Sequence, residues 1–250
     1  MKFRIRREVR WLLGLLGIVF LLGASGSYYE NQYCQKLSIE IDDNGGNFFL
    51  DEKDIQSLLD SNSREFLLNT PYKFINTRHL EKRLKANAFV EDCIISKKLN
   101  GELAVWVRLV KPIVRIWNKQ ESFYLDSKGR SIPFSKKFTP HCLVLSTDEV
   151  NFDFENNEND KKLLALLQKI TSNSFFRSHI AQIAKFRQGF KIYLQLSESE
   201  IDFGSLEEWE NKLRKLEILC RYILPRKGWN AYEKISLKYH QQVVCEYAKR

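Results

Sequence analysis

Neither GxGxxG nor GxxxxGK[ST] occurs in this chain, so nucleotide chemistry has no phosphate cradle to rest on. The nearest approach to a GxSxG nucleophile elbow, Gly23-Ala24-Ser25-Gly26, lies inside an apolar run, where it reads as structural. His79, His141, His179 and His240 are isolated and make no HxxxH or HExxH pair, which removes the ligand set of a metallohydrolase. Cys34, Cys93, Cys142, Cys220 and Cys245 are odd in number and widely spaced, with no CxxC. They give no zinc framework and at most two disulfides, and their ordinary role is as small apolar core residues. His141 precedes Cys142, but neighbours on a strand point to opposite faces, so the two do not make a thiol dyad. Carboxylates are plentiful, yet acid/base geometry is not readable from a sequence. No repeat of solenoid length, no low-complexity tract and no Lys/Arg run interleaved with aromatics is present, which argues against a nucleic-acid groove. These absences point away from catalysis, cofactors and metals.

What is present begins with charge. The formal net charge is +9, and Lys2, Arg4, Arg6, Arg7 and Arg10 against Glu8 supply a net +4 of it, leaving +5 for the rest. Directly after this basic tail, Trp11 to Gly26 (WLLGLLGIVFLLGASG) carries no charge, and Ser27, Tyr28 and Tyr29 extend it into an interfacial belt. A spanning helix needs about 20 apolar residues, so 11–29 reads as a single transmembrane helix. The positive-inside rule keeps residues 1–10 in the cytoplasm and sends the remainder across the membrane. The rival reading is a cleaved signal peptide, because residues 23–27 are small. The Tyr28-Tyr29 pair and the lack of a clean A-x-A triplet favour retention.

Beyond the membrane, Leu37 to Ile41 alternates with period two and stops at Asp42-Asp43-Asn44-Gly45-Gly46, a strand and a turn. Asp51 is an N-cap for a helix carrying Ile55, Leu58 and Leu59; Asn76 or Thr77 opens a second with Leu80, Leu84 and Ala88. Val90–Leu99 and Glu102–Val110 read as strands joined by an Asn100-Gly101 hairpin, with Leu103, Val105, Val107 and Leu109 on one face. The order strand-helix-helix-strand-strand predicts three strands with two helices on one side. Pro112 marks a junction. After it come short strands at 113–117, 122–125, 130–132 and 143–145, a polar loop over 147–160 and a helix over 163–170. Strands at 180–186 and 190–196 follow, then a helix from Ser205 to Leu224 ended by Pro225, and a C-terminal strand from Tyr232 to Cys245. The fold class is α+β, with 35–111 as one ectodomain unit and 112–250 as a larger mixed-sheet domain with helices.

This organisation resembles the FtsQ/DivIB family of bacterial cell-division proteins. Val110-Lys111-Pro112-Ile113-Val114-Arg115-Ile116 is similar to the family's junction. Phe123-Tyr124-Leu125-Asp126-Ser127-Lys128-Gly129-Arg130 is similar to its aromatic-Leu-Asp-x-x-Gly turn, and Ile235 to Val243 to its closing strand. Leu109-Val110 and Ser236 depart from the usual pattern. The resemblance implies a POTRA domain followed by the family's β domain, both protein-binding modules. It also implies partners of the FtsB/FtsL coiled-coil type and the septal peptidoglycan synthesis machinery, with a location in the inner membrane, a periplasmic ectodomain and concentration at the septum. The candidate partner-binding edge is the strand Lys238, Tyr239, His240, Gln241, Gln242, Val243, Val244 and Cys245, offered for β-augmentation. Two other classes remain: a POTRA-type envelope-assembly factor, which needs a following barrel of many alternating strands, and a membrane-anchored enzyme of unrecognised type.

Overall fold

Period-two patterning becomes a three-stranded sheet in the first part of the chain. Strands β1 (Lys36–Asp42), β2 (Val90–Lys97) and β3 (Glu102–Leu109) lie in the order β1-β3-β2, with β1 parallel and β2 antiparallel to β3. The computed structural model describes Trp11, Leu16, Gly17 and residues 31–60, 67–118, 121–149 and 151–248. Two compact units, Met1–Val110 and Lys111–Arg250, divide the chain. The expected membrane segment 11–29 lies, apart from Trp11, Leu16 and Gly17, outside the described residues. Among the described residues no helix is long and apolar enough to cross a membrane.

Helices α1 (Glu52–Asp60) and α2 (Thr77–Lys85) supply the other layer of the first unit. Asp51 and Asp54 cap α1 reciprocally, each carboxylate accepting the other's backbone N–H at 2.8 and 2.9 Å. The Asn76 side chain accepts from His79 N–H to open α2. Ile55, Leu59, Leu80 and Leu84 then meet Leu103, Val105, Val107 and Leu109 in one core. A bulge between Val90 and Asp92 keeps Val90, Cys93 and Ile95 on the same buried side, although simple alternation would separate them.

The hairpin at Asn100-Gly101 forms, but with a three-residue loop rather than a two-residue one. Lys97 pairs with Leu103, Lys98 N–H donates to Glu102 O, and only Gly101 has positive φ (+79°). A type I turn closed by a left-handed glycine matches that pattern. Asn100 spends its side chain accepting from Glu102 N–H instead of adopting positive φ.

The second unit is one nine-stranded mixed sheet in the order β12-β11-β10-β9-β8-β7-β4-β5-β6. Its strands are β4 (Pro112–Trp117), β5 (Ser122–Asp126), β6 (Ser131–Ile132), β7 (Leu143–Ser146), β8 (Ile180–Phe186), β9 (Gly189–Leu194), β10 (Glu200–Gly204), β11 (Tyr232–Ser236) and β12 (Val244–Tyr247). Pro112 opens β4, a position where a missing N–H is tolerated. The turn after β5 is built on Asp126, whose carboxylate accepts from Lys128 N–H, Arg130 N–H and Arg130 Nε. Gly129 there has φ +78°, and an added Cβ would sit 2.6 Å from the Phe154 ring. Helices α3 (Glu158–Ser172) and α5 (Trp209–Ile218) bury Leu163, Leu166, Leu167, Ile170, Leu213 and Leu216 in the core shared with Val114, Ile116, Leu145, Ile183, Ile192, Ile201 and Ile235.

Two elements were not expected, and two expectations are corrected. Strand β10 carries no signal strong enough to be read in advance, because Glu200 and Asp202 are poor strand formers. Their charges are met by Lys191 at 2.7 Å and Lys238 at 2.6 Å, while Ile201 and Phe203 fill the core. A short helix α4 (Ser174–His179) follows α3 directly, and Asn173 accepts from the N–H groups of Phe175 and Phe176 to start it. The helix expected over 205–224 begins at Trp209, after Glu208 in a left-handed conformation. Nor does Pro225 end it. A π turn over Leu219–Ile223 widens the coil so that Leu224 N–H reaches Leu219 O, and the chain continues as α6 (Leu224–Lys227) until Gly228 at φ +100°. The proline is accommodated at the start of a new turn, where its missing donor is not needed.

Candidate partner-binding edge

The C-terminal run from Tyr232 to Cys245 is not one strand. It folds as β11, a loop over 237–243, and β12 returning antiparallel, with Ser236 opposite Val244 and Lys234 opposite Glu246. The cause is a set of tertiary contacts that alternation does not reveal. Lys215 Nζ on α5 donates to the carbonyls of both Leu237 (2.6 Å) and Tyr239 (2.7 Å), pulling the backbone out of the ladder after Leu237. Burial against that loop lowers the Lys215 pKa. Leu237 itself is buried, and its N–H donates to Asp202 O as the last bond between β11 and β10.

Six of the eight expected edge residues therefore lie in the connection. Lys238 pairs with Asp202 at 2.6 Å, and Tyr239 turns an exposed ring outward. His240 Nδ1 sits 2.9 Å from the Glu208 carboxylate, Gln241 and Gln242 are exposed, and Val243 packs partly against the core. Only Val244 and Cys245 belong to the edge strand, which extends past them to Glu246 and Tyr247. Strand β12 is the terminal strand of the nine-stranded sheet.

The edge has a definite polarity. Ala248 N–H donates to Ala231 O, toward β11. Backbone groups alternate sides along an antiparallel strand, so Val244 and Glu246 also face β11. The N–H and C=O of Cys245 and Tyr247 therefore line the outer edge. Beside them stand Val244, 40% exposed, and Tyr247, 69% exposed. The Tyr247 ring lies 5.1 Å from that of Tyr232, which is buried in the core. The arrangement offers main-chain donors and acceptors with apolar side chains on both faces, the chemistry an added strand needs. Tyr247 continues the spacing of Val243 and Cys245, so extending the alternation by one step finds it. Lys215 and Glu208 carry no local signal, because their roles depend on α5 lying under the loop.

All five cysteines are free thiols. Burial pushes the thiols of Cys93, Cys142 and Cys220 up to about 11, the direction opposite to an activated nucleophile.

Comparison with known families finds two matches. A POTRA-like domain matches residues 32–108, and the family described as FtsQ/DivIB, C-terminal related, matches residues 111–246. No curated protein matches the chain. With that second match spanning more than half of its length, the chain belongs to the FtsQ/DivIB family of cell-division proteins.

Proposed function

We propose that this protein is a non-enzymatic scaffold of the bacterial divisome. Its N-terminal apolar segment holds it in the cytoplasmic membrane, with the basic tail inside and the two units in the periplasm at the septum. Its ectodomain binds bitopic coiled-coil partners of the FtsB/FtsL type, and through them it helps to recruit and regulate septal peptidoglycan synthesis. The observation that carries this reading, beside family membership, is the free edge of β12, where the backbone of Cys245 and Tyr247 faces outward between exposed Val244 and Tyr247. A partner strand added there gains main-chain hydrogen bonds for affinity and takes its specificity from Tyr239, Val244 and Tyr247.

The experiment is depletion of the protein in its native cell, followed by microscopy. The expected outcome is long filaments that keep growing without completed septa. Cells that go on dividing at normal length, with no second copy of the gene present, overturn the scaffold reading.

A further inference from the structure

Three loops of the first unit meet at one end of its sheet, and backbone bonds lock them together. Tyr72 N–H donates to Gln32 O at 2.8 Å, Cys34 N–H to Thr70 O at 3.0 Å, and Gln35 N–H to Gly101 O at 2.7 Å. Tyr72 OH lies 3.0 Å from the carbonyls of both Lys98 and Glu102, with its single proton to share between them, and Gln32 Nε2 donates to Leu99 O at 2.6 Å. The segment before β1, the stretch 67–74 and the β2–β3 hairpin thus form one rigid pole.

This pole turns large apolar side chains to solvent. Leu99 at the hairpin tip is 81% exposed, Phe74 70%, Tyr33 55% and Leu68 46%. Single exposed apolar residues are ordinary, but several on one rigid platform mark an interaction surface. The charges around them are mostly basic. Among the described residues Lys36, Lys73, Lys97 and Lys98 share these segments with one carboxylate, Glu102, which Lys98 meets at 3.2 Å. Apolar tips ringed by lysines are what an anionic lipid surface accepts: rings and a leucine enter the headgroup layer while ammonium groups stay with phosphates.

Chain length decides which surface this is. Asn31 follows Tyr29, the end of the charge-free run, by two residues, which span about 7 Å when fully extended. The pole that contains Asn31 to Gln35 is therefore tethered within reach of any bilayer the run enters, and a tethered contact needs little intrinsic affinity. We propose that this pole docks on the lipid headgroups beside its own membrane anchor, with Leu99, Phe74 and Tyr33 inserted and the exposed Lys73 and Lys98 on lipid phosphates, while Lys97 donates to the Tyr72 carbonyl at 2.7 Å inside the pole. The inference rests on the anchor reading above and adds a second, peripheral contact to it.

The test uses the full chain in nanodiscs containing phosphatidylglycerol, compared with the same chain in neutral detergent. Alkaline carbonate extraction from liposomes reports the anchor, and hydrogen exchange over residues 69–74 and 97–101 reports docking. Retention in the membrane with about tenfold slower exchange of those loops in anionic nanodiscs, lost in the L99S/F74S variant and at high salt, is the expected result. Retention with equal exchange in both environments overturns the docking and leaves the anchor standing. Release by carbonate overturns the anchor and the docking with it.

Discussion

The ammonium of Lys215 holds two carbonyls of the 237–243 loop. Bonds to a charged donor are worth about 1.5–3 kcal/mol each at most, and part of that returns as hydration when the group is removed. Lys215→Met is expected to destabilise the second unit by about 2 kcal/mol in urea melts and to loosen the loop. Partner binding should then weaken in proportion to how far β12 loses its position. A melt that coincides with that of the unchanged protein removes Lys215 as the cause of the chain reversal. In the first unit, carboxylates act on pH. A hydrogen bond from Arg108 holds Asp42 below the usual range, Lys85 does so for Asp92, and Asn100 and then Lys98 do so for Glu102. Each binds fewer protons folded than unfolded, so its stabilising contribution is complete above the ordinary carboxylate range and is lost as pH falls through the lowered native value. Thermal melts of the full chain are expected to be flat from pH 7 to 5 and to fall below about pH 4. R108Q, which releases Asp42, should shrink that fall.

At the scale of elements, β12 makes the sharpest distinction. Tyr247→Pro removes an outward N–H, a place where proline is tolerated, whereas Glu246→Pro removes one that faces β11. The first is expected to lower the melting curve no more than Tyr247→Ala does, since both lose the ring contact with Tyr232, while weakening partner capture about tenfold or more, because an added strand loses a donor and meets the proline ring. The second is expected to lower stability as well. If both variants bind the partner as the unchanged protein does, β12 is not the edge that is extended. Many elements were legible beforehand for local reasons. Asp51 and Asn76 cap the helices they precede, and the alternation of Leu103, Val105, Val107 and Leu109 needed no partner to be read; Asn157, which caps α3, lay inside the segment expected as a polar loop. The candidate edge was half legible. Val244 and Cys245 lie in it, but period two is satisfied equally by one long strand and by two short ones with a turn between, and only Lys215 separates the cases. Strand β10 was hidden because Glu200 and Asp202 are compensated by lysines on the two neighbouring segments, Lys191 on β9 and Lys238 after β11, which no local pattern pairs with them. The π turn that absorbs Pro225 depends on a single displaced hydrogen bond, Leu224 to Leu219, which no residue type announces.

For the whole molecule, the patterns along the chain were sufficient for an α+β architecture and for the resemblance to the FtsQ/DivIB family; the two compact units divide after Val110, so that Pro112 belongs to the second. Caps, turns and amphipathic spacing are local, acting over a few residues, so they are written where they operate. Family membership then carries the prediction that depletion leaves growing, undivided filaments. Strand order is another matter. That β10 runs parallel to β11, that β7 lies between β4 and β8, and that β12 ends the sheet all depend on which apolar faces meet at long range. The free edge, and with it the surface offered to a partner, is a property of that order. Sequence alone set the kinds of elements because their energetics are local; only the packed fold could decide which strands stand at the ends of the sheet, because edge position depends on every other strand having found its neighbour.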